Sequence, residues 1–147
     1  GILVNDKGIT SDQSIFACGD CTNHPNKFLN KNIRLESVQN ALEQSKVVAA
    51  NLMGQEKKYE VIPWFWSDQY NQKLQIVGMP EEHDEIVKRE YADGFSIFYL
   101  SNKTIISVTT VNNPKEFLIC KKLVEKKLKI SSDILTNTAN DLNELVK

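Results

Sequence analysis

The heptapeptide Pro63-Trp-Phe-Trp-Ser-Asp-Gln69 opens a series of β-strands that sets the fold class. Its consecutive aromatic residues favour a strand, and further stretches of β-forming residues follow it, with Asp93-Gly94 and residues 101–103 as turns. This half of the chain is therefore predicted to form a mainly antiparallel sheet. The predicted strands are Trp64–Ser67, Lys73–Gly78, Glu85–Glu90, Phe95–Leu100 and Thr104–Val111.

A helix is predicted directly after the last strand. Pro114 suits the first turn of a helix that continues to about Lys127. Weaker amphipathic signals follow at residues 134–135 and 142–146. Together with the strands, these signals predict an α+β domain over residues 55–147, after a charged connector at residues 55–58. The helix carries one apolar stripe, formed by Phe117, Cys120, Leu123, Val124 and Leu128.

The first 54 residues have a different pattern. Ile15–Cys18 is a short apolar run between turn residues and predicts a buried strand, whereas residues 21–32 show no periodicity and predict a loop. Ser37 can cap a helix that Gly54 would end. We expect these residues to be the last strands and helix of an α/β domain. Apolar residues at helical spacing in this helix are Val38, Ala41, Leu42, Ala49 and Leu52.

Charge and composition argue against nucleic-acid-binding and membrane proteins. The formal net charge of the 147 residues is −1, and no apolar run approaches the length of a membrane span. The three cysteines are an odd number without the spacing of a disulfide scaffold, which favours a reducing, cytoplasmic setting. The chain starts abruptly and has no room for a complete nucleotide fold, so we expect it to be the tail of a larger enzyme.

Three segments resemble one enzyme family. Residues 10–20, which include Ile-Phe-Ala-Cys-Gly-Asp at 15–20, resemble the second flavin-binding motif of the FAD-dependent pyridine-nucleotide oxidoreductases. Residues 34–44, Arg-Leu-Glu-Ser-Val-Gln-Asn-Ala-Leu-Glu-Gln, resemble the helix that follows this motif in bacterial ferredoxin reductases of oxygenase systems, and residues 63–69 resemble the segment that opens their C-terminal domain. The resemblance implies a parent enzyme that passes electrons from NADH through FAD to a [2Fe–2S] ferredoxin or a rubredoxin.

The same resemblance implies roles in cofactor binding in the first half of the chain. The Asp20 carboxylate would accept hydrogen bonds from the ribityl hydroxyls of FAD, and Gly19 would allow the tight turn beside it. Ser37 would cap the helix whose backbone N–H near Val38 contacts the flavin, where the positive end of the helix dipole favours negative charge.

In the second half, the resemblance places an aromatic residue beside the isoalloxazine ring. Trp66 is the first choice for this position and Trp64 the second, and packing inside the domain is an equally open role for Trp64. Lys46 and Lys121 match basic partner-facing positions and are candidate docking residues. For the lysines near Lys121, favourable charge at a helix C-terminus is the alternative.

Cys18 and Cys21, with His24 nearby, form a spacing that could indicate a redox disulfide or part of a zinc site. We discount both, because Asp20 lies inside the pair and Cys120 is a lone residue on a helix. No catalytic residue and no metal ligand is therefore predicted in the chain.

We expect the isolated chain to be inactive and to associate with its own N-terminal FAD and NAD domains. A homodimer is a further assembly that we consider. The alternatives are the tail of an apoptosis-inducing-factor-like flavoprotein and a non-catalytic binding or dimerisation module.

Overall fold

The computed structural model describes residues 1–147, which form two compact units, residues 1–63 and residues 64–147. The first unit contains a small sheet in the order β1-β2-β3, in which β1 pairs with β2 in parallel and β2 pairs with β3 antiparallel. One long helix, α1, follows this sheet. The bounds of these elements are β1 Ile2–Leu3, β2 Thr22–Asn26, β3 Lys31–Ile33 and α1 Val38–Leu52.

The strand prediction in this unit was wrong. Ile15–Cys18 does not form a strand, and Phe16 makes only an isolated bridge to Ile9. The strand β2 lies beyond Asp20, inside the segment that was predicted to be a loop. Its side chains are polar, and those of Thr22, His24 and Asn26 are buried. Hydrophobic periodicity cannot detect a strand of this kind, because hydrogen bonds and not apolar contacts make its burial favourable.

Helix α1 begins and ends where the sequence predicts. The Ser37 hydroxyl accepts a hydrogen bond from the Asn40 amide at 3.1 Å, and Gly54 adopts a left-handed φ of 80° just beyond the last turn. The apolar residues at helical spacing do not form its buried face, however. Val38, Leu42 and Leu52 are 55%, 56% and 62% exposed. The side chains that α1 buries are Gln39, Asn40, Gln44, Val47 and Val48.

Residues 55–63 pack within the first unit. Tyr59 is buried, and its hydroxyl donates to Asn40 Oδ1 at 2.9 Å while its amide donates to the Asp6 carbonyl at 2.8 Å. The Asn51 side chain donates to the carbonyls of Lys7 and Lys57, both at 2.9 Å. The hydrogen bonds of Tyr59 and Asn51 attach the connector to both α1 and the N-terminal segment. Burial also raises the pKa of Tyr59 to about 12.

The second unit is a five-stranded antiparallel sheet in the order β4-β5-β8-β7-β6. All five predicted strands and the helix that begins at Pro114 are confirmed. Asn113 caps this helix by accepting from the Glu116 amide at 3.3 Å. The bounds are β4 Trp64–Gln69, β5 Gln72–Gly78, β6 Glu85–Glu90, β7 Phe95–Ser101, β8 Thr104–Val111, α2 Pro114–Glu125, α3 Ser132–Thr136 and the 3₁₀ helix Leu142–Val146.

The core of this unit lies between one face of the sheet and α2. Val77, Val108 and Phe98 pair across β5, β8 and β7 and have no exposed surface. Four members of the predicted apolar stripe are buried on α2, whereas Leu128 lies beyond the end of the helix and is only half-buried. The four are Phe117, Cys120, Leu123 and Val124. Each such side chain contributes about 1.5–3 kcal/mol when fully buried. No helix of the chain has the length and apolar content needed to span a bilayer.

A buried ion pair fastens the C-terminal segment to this core. Arg89 on β6 is 3% exposed, and its Nε lies 3.2 Å from Oε2 of the buried Glu116 on α2. The Tyr91 hydroxyl also donates to Glu116. The other Arg89 nitrogens donate to backbone carbonyls of α3 and of the segment that follows it, those of Leu135, Asn137, Thr138 and Asn140.

Candidate functional site

Gly19 forms a tight turn that lies against helix α1. Its φ is 83°, a left-handed conformation that favours glycine, and its amide donates to Oε1 of the buried Gln44 at 2.7 Å. A Cβ atom built on Gly19 would lie 3.7 Å from Cβ of Ala41. That distance is an ordinary van der Waals contact, so the left-handed backbone of the turn, and not a lack of room, is what favours glycine here.

Asp20 lies at the tip of this turn with its carboxylate exposed. The carboxylate forms no hydrogen bond or ion pair within the chain, whereas the Asp20 carbonyl accepts from Arg34 Nε at 3.0 Å. A second Arg34 nitrogen pairs with Glu36 at 3.0 Å. The backbone of Asp20 is thus held while its side chain is free to accept hydrogen bonds from a ligand.

The start of α1 is the second ligand-accessible feature of the first unit. Ser37 satisfies the Asn40 amide, and the amides of Val38 and Gln39 precede the first intrahelical bond, which Ala41 donates to the Ser37 carbonyl. Val38 is exposed and the first turn contains no acidic residue. The positive end of the helix is therefore available to an anionic or electron-rich group.

These features fit the FAD that the resemblance implies. The carboxylate of Asp20 can accept hydrogen bonds from sugar-like hydroxyls. The free amides at the start of α1 can donate to the oxygen-bearing edge of a flavin ring. Arg34 ties the turn to the segment that leads into α1, so the acceptor and the donors belong to one rigid piece of backbone.

Trp64 and Trp66 lie on the same face of β4, which is an edge strand of the sheet in the second unit. Their rings stack with centroids 5.4 Å apart and an interplanar angle of 29°. Trp64 also packs against Phe117 of α2, with ring centroids 5.7 Å apart. Trp66 is 38% exposed. Trp64 thus has a packing role, and Trp66 offers the more accessible indole surface.

The two candidate docking lysines lie in different units and have different surroundings. Lys46 is exposed on α1 and forms an ion pair with Glu43 at 2.7 Å. Lys121 on α2 places its Nζ 4.4 Å from the ring centroid of Trp64, a cation–π contact. Its ammonium group is therefore held against the aromatic pair, while that of Lys46 is held by a neighbouring carboxylate.

The cysteines are all unpaired. Cys21 Sγ donates to the Cys18 carbonyl at 3.5 Å, and Cys120 is buried in the core of the second unit, where burial raises its pKa well above the usual value. His24 is also buried, which lowers its pKa. No group of three or more His, Cys, Asp or Glu side chains is arranged to hold a metal ion.

A buried polar network beneath the turn was missed by the sequence reasoning. Gln44 Oε1 lies 3.0 Å from the Thr22 hydroxyl, and Thr22 Oγ1 lies 3.5 Å from His24 Nδ1. Asn40 accepts from Tyr59, whose ring meets the His24 ring edge-on at 5.1 Å. Asn40 and Gln44 could have indicated this network, because their spacing of four residues places both amide side chains on one face of α1.

Comparison with known proteins finds reductases that are similar to the chain. The chain is 38% identical to putidaredoxin reductase CamA from Pseudomonas putida over 99% of its length, but spans only 35% of that protein. The structure of a ferredoxin reductase for the CYP199A2 system from Rhodopseudomonas palustris matches the whole chain with a TM-score of 0.92 at 34% identity. That of a covalent putidaredoxin reductase–putidaredoxin complex matches 99% of it with a TM-score of 0.90 at 38% identity.

The chain spans only 37% and 36% of the matched chains in those two structures. The sequence model of the family described as "Reductase C-terminal" matches residues 64–146, which is the sheet and helices of the second unit. Since this match includes more than half of the residues, the chain belongs to the reductase C-terminal family.

Proposed function

We propose that the complete protein is an FAD-containing, NADH-dependent reductase whose electron acceptor is a [2Fe–2S] ferredoxin or a rubredoxin. The observation that carries this proposal is the free Asp20 carboxylate on a turn attached to the uncovered start of α1. The relatives support it, because their names describe reductases of small electron-transfer proteins. When bound, FAD would supply the conversion of a hydride donor's two electrons into single-electron transfers.

The residues of this chain would bind and orient the cofactor. Asp20 would accept hydrogen bonds from the ribityl hydroxyls, on a turn that Gly19 makes possible. The start of α1, capped by Ser37 and open at Val38, would donate backbone hydrogen bonds and favour negative charge on the flavin ring. We propose that Trp66 shields the flavin from water and that Trp64 supports it by stacking.

We further propose how the chain is divided in the complete enzyme. Residues 1–54 would be the end of the FAD-binding domain, and residues 55–147 would be the C-terminal domain. The FAD and NAD domains of the same protein would supply the remaining parts of the cofactor sites. The unpaired cysteines are consistent with a reducing compartment such as the cytoplasm.

Lys121 and Lys46 are the residues we propose for docking the acceptor. An acidic ferredoxin would be attracted to basic side chains, which raises the association rate at low salt. Lys121 is the stronger candidate, because its ammonium group already lies over the indole of Trp64.

The test is to purify the complete protein and measure bound FAD together with NADH-dependent reduction of a [2Fe–2S] ferredoxin and of a rubredoxin. We expect stoichiometric FAD in the wild type and weaker FAD retention in Asp20→Ala. Asp12→Asn is the matched control, because Asp12 is an exposed carboxylate of the same unit whose Oδ1 accepts from the Ser14 amide, as an asparagine also could. A wild-type protein that binds no flavin would contradict the proposal.

A further inference from the structure

Gln44 is a buried residue on α1 that ends the segment resembling the reductase helix, but the resemblance gives it no role in the site. It is 1% exposed, and its amide oxygen accepts from the Gly19 amide at 2.7 Å. The Thr22 hydroxyl lies 3.0 Å from the same oxygen and 2.8 Å from the Gly19 carbonyl. One side chain of the helix therefore contacts the turn at Gly19, just before Asp20, and at Thr22, two residues after it.

Two further contacts hold the same turn against α1. Ser37, Ala41 and Gln44 are four and three residues apart and lie on one face of the helix. Gly19 packs on Ala41 in the middle of that face, and Arg34 holds the Asp20 carbonyl just before the helix starts. The turn is therefore attached along the first two turns of α1.

We propose that Gln44 is a positioning residue of the flavin site, which rests on the proposed function above. The Asp20 carboxylate has no partner within the chain, so only its backbone determines where it points. Gln44 fixes that backbone relative to the start of α1. Without its amide oxygen, the buried Gly19 amide would lack an acceptor and the turn would leave the helix face to reach water.

Two substitutions distinguish the effect of the hydrogen bond from the effect of side-chain volume. Gln44→Leu keeps a similar volume and removes the acceptor, whereas Gln44→Glu keeps an acceptor oxygen at the same position. Val47→Ala is the control, because Val47 is also buried on α1 and its loss destabilises the unit without removing a bond to the turn.

The first measurement needs no cofactor. Amide hydrogen exchange by NMR in this chain should show the Gly19 amide protected in the wild type and in Gln44→Glu, and exchanging at least about tenfold faster in Gln44→Leu. In Val47→Ala, the exchange rate of Gly19 relative to its neighbours should stay as in the wild type.

The second measurement uses the complete flavoprotein. FAD dissociation and the visible circular dichroism of the bound flavin should change in Gln44→Leu, with affinity weakened about tenfold, and should recover in Gln44→Glu.

If Asp20→Ala weakens FAD binding but Gln44→Leu leaves both readouts at the wild-type values, the positioning role is wrong and the proposed function stands. The role is equally wrong if Val47→Ala changes the flavin signal as much as Gln44→Leu does. If neither Asp20→Ala nor Gln44→Leu affects FAD binding, both the role and the flavin site at this turn are wrong.

Discussion

Lys121 Nζ lies 4.4 Å from the ring centroid of Trp64, so a candidate docking residue and a candidate flavin neighbour are in direct contact. Trp64 in turn stacks on Trp66 and packs against Phe117 of α2. A change at the Lys121 ammonium therefore acts on the aromatic pair through one contact. This coupling can be measured in the chain alone.

Lys121→Met should alter the tryptophan signal of the chain while leaving its fold intact. The only tryptophans are Trp64 and Trp66, so selectively excited tryptophan emission reports on this pair alone. Removing the cation eliminates an interaction of about 0.5–1 kcal/mol, and the emission should shift. Lys122→Met, at an exposed neighbouring position on α2, should leave the spectrum unchanged. Identical spectra for all three proteins would show that the contact is absent in solution.

Arg89→Met should strongly destabilise the second unit. It leaves the Glu116 carboxylate buried without its cation and removes the donors to the carbonyls of Leu135 in α3 and of Asn137 beyond it. Breaking a buried pair on one side costs about 3–5 kcal/mol, which urea unfolding would detect as a lower midpoint. The double variant with Arg89→Met and Glu116→Leu should recover part of the loss, because no uncompensated charge remains. A single variant with wild-type stability would contradict the structural role of this pair.

Tyr59→Phe should change how the stability of the first unit depends on pH. Burial raises the pKa of Tyr59 to about 12, above its ordinary value of 10.0, so the folded state holds the proton more tightly than the unfolded state. Its contribution is complete below pH 10 and is lost as the pH rises toward about 12. The phenylalanine variant should lose about 1 kcal/mol at neutral pH, since the bond to Asn40 disappears, and should fall less steeply above pH 10. If the free energy of unfolding fell equally with rising pH in both proteins, Tyr59 would not have a raised pKa in the folded state.

The three thiols should differ in reactivity. Under native conditions an alkylating reagent should modify the exposed Cys21 fastest and the half-buried Cys18 more slowly. Cys120 should react only after unfolding, because it is fully buried and its pKa is raised by burial and then by Glu116. Mass spectrometry of peptides after timed labelling would give the order. Rapid native labelling of Cys120, or a Cys18–Cys21 disulfide in reduced buffer, would be incompatible with the structure.

Local chemistry explains which parts of the fold could be predicted. The strands of the second unit alternate β-forming residues and are separated by turn residues, so their bounds follow from short stretches. The signals for the helix starts at Ser37 and Pro114 were also local, because a capping residue or a proline affects only the next few residues. The end of α1 at Gly54 could be predicted for the same reason, because the chain adopts a left-handed conformation there.

Long-range polar contacts explain what could not be predicted. The acceptor of the Gly19 amide is 25 residues away, and the carbonyls that Arg89 binds are 46–51 residues away. Neither position carries a hydrophobic signal, so no local pattern in the sequence pointed to these contacts. For the candidate site, the resemblance and the helix cap suggested Gly19, Ser37 and the two tryptophans, which stay predictions, and neither suggested a role for Gln44.

Helix α1 also has a consequence for the order of folding. Its second half buries Val47 and Val48, but its first half buries Asn40 and Gln44 and exposes Val38 and Leu42, so apolar contacts alone do not select the face that the first half buries. The correct face is favoured only once Thr22 and the Gly19 turn are present to satisfy its amides. Docking of α1 should therefore occur late, in one cooperative step with the turn, and a denaturant-jump experiment should show the helix and the turn gaining protection at the same rate.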